Sequence, residues 1–94
     1  MEIRQHLNVQ GTVQGVGFRY RAKHMADALA LTGTVKNLPD GSVELEVQGE
    51  ESVVAEYLDR LCNSTSVQVA AVKFKECSVH TENSFEILMN EEQT

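Results

Sequence analysis

The apolar pattern of this chain changes period across one short loop, and that change dictates what can lie on either side of it. In residues 3–13, Ile3, Leu7, Val9, Gly11 and Val13 fall on one face and Arg4, His6, Asn8, Gln10 and Thr12 on the other, with Gln5 alone out of phase. Such alternation predicts a strand with one buried face. In residues 19–31 the period becomes helical. Ala22, Met25, Ala26 and Leu29 share a stripe, Phe18 stands just ahead of them, and Arg21, Lys23, His24 and Asp27 face away. The junction carries glycines at 15 and 17, which open backbone conformations closed to residues with a Cβ. In a strand-to-helix turn of this kind, main-chain N–H groups converge at the positive end of the helix, which suits an anion. Arg19 adds a forked cation at the mouth, matched to phosphate or carboxylate.

The rest of the chain reads as support for that loop. Thr32-Gly33 is expected to stop the first helix. Residues 34–38 form a second strand, and Pro39-Asp40-Gly41 marks a hairpin turn into a third. There Val43, Leu45 and Val47 point inward, while Ser42, Glu44, Glu46 and Gln48 are expected to form a solvated face. A second helix fits residues 50–62, with Val54, Leu58 and Leu61 as its stripe, Glu50 and Glu51 at its N-terminus and Asn63-Ser64 at its end. Residues 67–76 read as a strand whose phase flips near Ala70-Ala71, predicting a bulge. Phe85 and Ile87 mark a short last strand, and residues 89–94 a frayed tail.

This order predicts an α+β fold: a two-layer ferredoxin-like βαββαβ sandwich with an extra short C-terminal strand and a mainly antiparallel sheet. One domain covers residues 1–94, with its core in about 3–88. A right-handed first crossover makes strands 1 and 2 parallel, so that both end at the same edge of the sheet. Asn37, on the face where Val35 is buried, then points toward the corner that holds the glycine loop and Arg19.

Composition removes several alternatives. Eight Lys+Arg against fourteen Asp+Glu leave a net charge of −6, unsuited to nucleic acid, where phosphate neutralisation supplies most of the affinity. The outward residues of strands 1 and 3 include no aromatic platform for RNA bases. Gly15 and Gly17 are not a dinucleotide fingerprint, since Tyr20 stands at the third glycine position, and no Gly-Lys-Ser/Thr follows to make a P-loop. His6, His24 and His80 have no partner spacing and are expected at the surface, and Cys62 and Cys77 show no metal spacing, so no metal or cofactor is expected. Two unpaired cysteines, no run long enough to span a membrane and a Met-Glu-Ile-Arg start point to a cytoplasmic chain without membrane contact. No leftover apolar stripe calls for a partner subunit, so a monomer is expected.

Val13-Gln-Gly-Val-Gly-Phe-Arg19, followed after a helix by Gly33-Thr-Val-Lys-Asn-Leu-Pro-Asp-Gly-Ser-Val43, resembles the acylphosphatase family, over roughly residues 5–88. The resemblance implies a small metal-free hydrolase that splits the carboxyl-phosphate bond of acyl phosphates into carboxylate and inorganic phosphate. It implies that the amides of residues 15–19 bind the phosphoryl oxygens, that Arg19 is the essential arginine, and that Asn37 positions the attacking water. Thr34 departs from the tryptophan that many members carry there, with an expected local effect on stability or substrate fit. A module that only bound anions would need the loop and Arg19 but not Asn37.

Overall fold

The computed structural model describes residues 1–15, 17–63 and 68–88. Their order is β1 (Glu2–Thr12), α1 (Phe18–Ala28), β2 (Thr32–Asn37), β3 (Val43–Glu50), α2 (Glu51–Cys62), β4 (Gln68–Cys77) and β5 (Phe85–Ile87). The expectations for the Val16 amide, Ser64, Val67 and the tail at 89–94 lie outside the described residues. No described helix is long and apolar enough to cross a membrane.

The strands form one sheet in the order β4-β1-β3-β2-β5. β1 and β2 both pair antiparallel with β3 and so run parallel to each other, and β5 adds parallel to β2. The fold is the ferredoxin-like α+β arrangement. Because β1 and β2 end at the same edge, the loop after Thr12 and the residue at the end of β2, Asn37, are neighbours.

The inward residues of the strands, including Leu7, Val9, Val35, Val43, Leu45 and Val47, are sealed by Phe18, Ala22 and Ala26 of α1 and by Val54, Tyr57 and Leu61 of α2. Tyr57, three residues after Val54 and four before Leu61, takes the central place on α2 expected of Leu58, which is only partly buried. Its ring lies against Phe85 with centroids 6.3 Å apart, and its hydroxyl donates to the Ala22 carbonyl at 3.0 Å. The two helices are thereby tied through a buried phenol whose ionisation burial pushes far up.

The first helix ends earlier than expected. Ala28 is its last residue, and Leu31 N–H reaches back to Ala26 O (2.9 Å) while Ala30 N–H reaches Asp27 O (3.2 Å). This six-residue closure requires a left-handed residue, supplied by Ala30 with φ 58°. Stopping there lets Leu31 turn into the core, at 3% exposure. Thr32 and Gly33 accordingly belong to β2 and not to a helix stop. Gly33 is required for close packing: a Cβ on it would sit 1.9 Å from the Glu46 carbonyl oxygen of β3. The bulge expected near Ala70-Ala71 is present, since Gln10 pairs with Ala71 but Gly11 with Val69, leaving Ala70 unpaired.

The open face of the sheet differs from the solvated surface expected. Arg4 is 3% exposed. Its Nε donates to Glu46 (2.7 Å), and its Nη1 to Glu82 (2.7 Å) and Gln48 (3.1 Å). His6, expected at the surface without a partner, meets Glu44 at 2.8 Å, and Lys36 approaches the same carboxylate at 3.4 Å. The cause is register. Arg4 and His6 sit opposite Gln48 and Glu46, so each side chain reaches a glutamate diagonally across the β1–β3 ladder. The segment 78–84, crossing from β4 to β5, is pinned over this row. Gln48 donates to the His80 carbonyl at 2.7 Å and accepts from the His80 N–H at 3.1 Å.

Candidate active site

The turn between β1 and α1 starts the helix without a side-chain cap. Gly15 and Gly17 take left-handed φ values of 76° and 78°. Gly17 is the N-cap residue of α1, no side chain bonds to the first turn, and that turn contains no acidic residue. Helical bonding begins with Arg21 N–H donating to Gly17 O at 3.0 Å. The first N–H groups of a helix have no partner within it, and they carry the positive end of the dipole. Among the described residues no side-chain cap bonds to them, and the first turn holds no carboxylate.

Gln14 holds this turn against the β2–β3 hairpin. Its Nε2 donates to Leu38 O (2.9 Å) and Ser42 O (2.8 Å). The hairpin is itself rigid: Leu38 N–H donates to Ser42 O (2.9 Å) and Gly41 N–H to Leu38 O (3.1 Å). Asp40 accepts from both the hydroxyl and the N–H of Ser42, at 2.6 and 2.9 Å. These bonds from Ser42, the hydroxyl foremost, hold the Asp40 carboxyl below the usual carboxylate range. Asn8 of β1 completes the brace by donating to the Ser42 hydroxyl.

Between the turn and the end of β2 lies a cavity of about 250 Å³, lined by Val13, Gly15, Gly17, Phe18, Arg19, Tyr20 and Asn37. The residues singled out from the sequence, Gly15, Gly17, Phe18, Arg19 and Asn37, therefore share one wall, with Val16 outside the described set. Asn37 is 8% exposed, and its Oδ1 is buried with no hydrogen-bond partner among the described residues. A buried amide acceptor left unpaired costs about 1–3 kcal/mol. Asn37 would be an expensive choice here for packing alone.

Other chemistry-bearing residues lie elsewhere. Glu44, Glu46 and His6 belong to the open face of the sheet. Burial is the main influence on Cys62 and Cys77 and pushes both thiols up, away from the thiolate a nucleophile needs. Among the described residues no three His, Cys, Asp or Glu side chains group closely enough to hold a metal ion. Two lining or bracing residues, Gln14 and Tyr20, were not singled out from the sequence. Gln14 is inside the glycine motif, but its acceptors are 24 and 28 residues further on, a distance no local spacing reveals.

Comparison with known proteins identifies the family. The acylphosphatase family model matches residues 5–87. An acylphosphatase of Clostridium perfringens is 41% identical over 80 residues, covering 84% of this chain and 90% of that protein. The crystal structure of the Bacillus subtilis acylphosphatase superposes with a TM-score of 0.86 at 34% identity, over 92% of this chain and 98% of the other. An acylphosphatase structure from Coxiella burnetii gives 0.85 at 35% identity, with 93% of each chain covered. With a matched family model spanning the glycine turn, Arg19, Asn37 and nearly all of the sandwich that positions them, this chain belongs to the acylphosphatase family.

Proposed function

We propose that this protein hydrolyses acyl phosphates, and that the cavity beside α1 is where it does so. The observation that carries the reading is Asn37: a buried carboxamide oxygen without a partner among the described residues, on the wall of the same cavity as an uncapped helix start and an arginine. A module that only bound anions would have no use for that acceptor.

In this reading the phosphoryl oxygens accept from the main-chain N–H groups of residues 15–19 and from the Arg19 guanidinium. Asn37 Oδ1 accepts one proton of a water and so aims the water's lone pair at phosphorus. The water oxygen bonds to phosphorus as the bond from phosphorus to the acyl oxygen breaks. The carboxylate leaves with the electron pair, and a phosphoryl oxygen takes up the proton, giving inorganic phosphate. An acyl phosphate is a mixed anhydride with a stable leaving group, so positioning and charge stabilisation suffice. The described lining offers no carboxylate, imidazole or thiol to serve as a base or to hold a metal. The substrate's own phosphate is therefore the proton acceptor, and turnover is expected to survive a chelator.

Phosphate release from acetyl and benzoyl phosphate, with and without EDTA, tests the reading. Arg19→Gln is expected to lose both turnover and inhibition by inorganic phosphate, a loss of about 10³-fold or more in rate if the guanidinium acts as it does in other phosphoryl-transfer enzymes. Asn37→Ala is expected to lose turnover while keeping phosphate inhibition. Full activity in Asn37→Ala refutes the water-positioning role, and phosphate binding without turnover in the unmodified protein returns the site to an anion-binding module.

A further inference from the structure

We infer that Tyr20 is the acyl-group platform of this site and selects flat acyl phosphates, aromatic ones above all, over acetyl phosphate. The inference rests on the hydrolase reading above and extends it to the half of the substrate that the phosphate-binding groups do not touch.

The described lining is mixed in chemistry. Arg19, Asn37 and the main-chain donors are polar and suit the phosphoryl end. The remaining side chains of the lining, Val13, Phe18 and Tyr20, are apolar or aromatic. Val13 and Phe18 are each 1% exposed and already committed to the core. Tyr20 is 64% exposed, so the core does not account for it. It follows Arg19 directly in the first turn of α1, and both residues line the cavity. The cavity volume of about 250 Å³ is many times the roughly 10–15 Å³ that one water needs, so there is room for more than a phosphoryl group and one attacking water.

The platform itself carries no charge, and its surroundings disfavour a cationic guest. Phe18–Lys23 contains Arg19, Arg21 and Lys23 and no acid, so no carboxylate of α1's first turn is available to recruit a cationic acyl group. An aromatic face next to a hydrophobic floor is instead suited to an offset-stacked or edge-on ring. Such pairs contribute about 2–12-fold in binding beyond the area they cover.

The test compares kcat/KM for benzoyl and acetyl phosphate in the unmodified protein, Tyr20→Ala and Tyr20→Phe, with inhibition by inorganic phosphate measured in each. The substitution is on an exposed helical position where alanine has the highest helix propensity, so the fold is retained. The expected result is a benzoyl-to-acetyl ratio that falls about 2–12-fold in Tyr20→Ala and is kept in Tyr20→Phe. An unchanged ratio in Tyr20→Ala, with phosphate still inhibiting and both substrates still turned over, overturns the platform alone. Absence of turnover and of phosphate inhibition in the unmodified protein overturns the hydrolase reading and this inference together.

Discussion

Replacing Arg4 with methionine removes the hub of the open sheet face while leaving an unbranched stem to fill its place. The structure sets the expected loss. Arg4 makes two short charge-assisted bonds, to Glu46 and Glu82, each 2.7 Å. Such bonds are worth about 1.5–3 kcal/mol when sheltered from water. Shelter is unequal, however, because Glu82 is 17% exposed and Glu46 30%. The Glu46 bond is therefore discounted toward the 0–1 kcal/mol of a surface pair. Stranding Glu82 beneath its own segment is the larger penalty, and the sum is about 3 kcal/mol. For a domain of this size that corresponds to a fall in Tm of roughly 12–24 °C. Thermal and urea unfolding of Arg4→Met, Glu82→Gln and the double variant form a cycle that isolates the pair. The double variant is expected to recover much of the loss, since no charge is then left buried. Arg4 lies nine residues from Val13, roughly 30 Å along an extended strand, so kcat/KM at low temperature is expected to hold. A loss below about 1 kcal/mol in Arg4→Met refutes the argument and makes the network an ordinary surface one.

Three further expectations concern other parts of the molecule. Gln14→Ala releases the glycine turn from Leu38 and Ser42, and is expected to lower kcat/KM on acyl phosphates about 10–100-fold, the scale of a 1 Å misplacement; Gln14→Glu, which cannot donate to two carbonyls, is expected to be no better. Ala30→Gly relieves a left-handed alanine that costs about 1–2 kcal/mol, and after the greater freedom of glycine in the unfolded chain is expected to raise stability by about 0.5–1 kcal/mol in urea unfolding. Acid unfolding follows from Glu44 and Glu82. The His6 bond, aided by Lys36, lowers the Glu44 carboxyl, while at Glu82 burial opposes the shift but bonds from Arg4 and Thr32 lower it overall. A depressed folded-state value means stabilisation that is complete above the ordinary value of 4.5 and lost as pH falls through the folded one. The urea midpoint is accordingly expected to drop below that pH, with a shallower drop in Glu44→Gln and Glu82→Gln.

The fold was legible in the sequence wherever a period repeated over several residues. Ile3 to Val13 and Val43 to Val47 declared their strands, and Ala22, Ala26, Val54 and Leu61 their helices. The loop and Asn37 were legible because glycine and asparagine at a strand end are chosen for backbone geometry and hydrogen bonding, which survive translation into letters. What escaped depends on pairings between distant segments. His6 meets Glu44 only because the register of β1 on β3 sets them diagonally. Glu82 is recruited to Arg4 from 78 residues away. The end of α1 was misplaced because a glycine two residues into β2 looks like a helix stop until Glu46 of the neighbouring strand is seen against it.

Both margins of the sheet, β4 and β5, come from the last part of the chain, while the cavity is built from its first 37 residues. At about 5–20 residues per second, the ribosome takes roughly 3–11 s to pass from Tyr20 to Cys77. For that interval β1 waits for its outer neighbour, β4, with one row of main-chain groups unmatched. The newborn chain thus holds every residue of its cavity before it has the strands that complete the sheet around them.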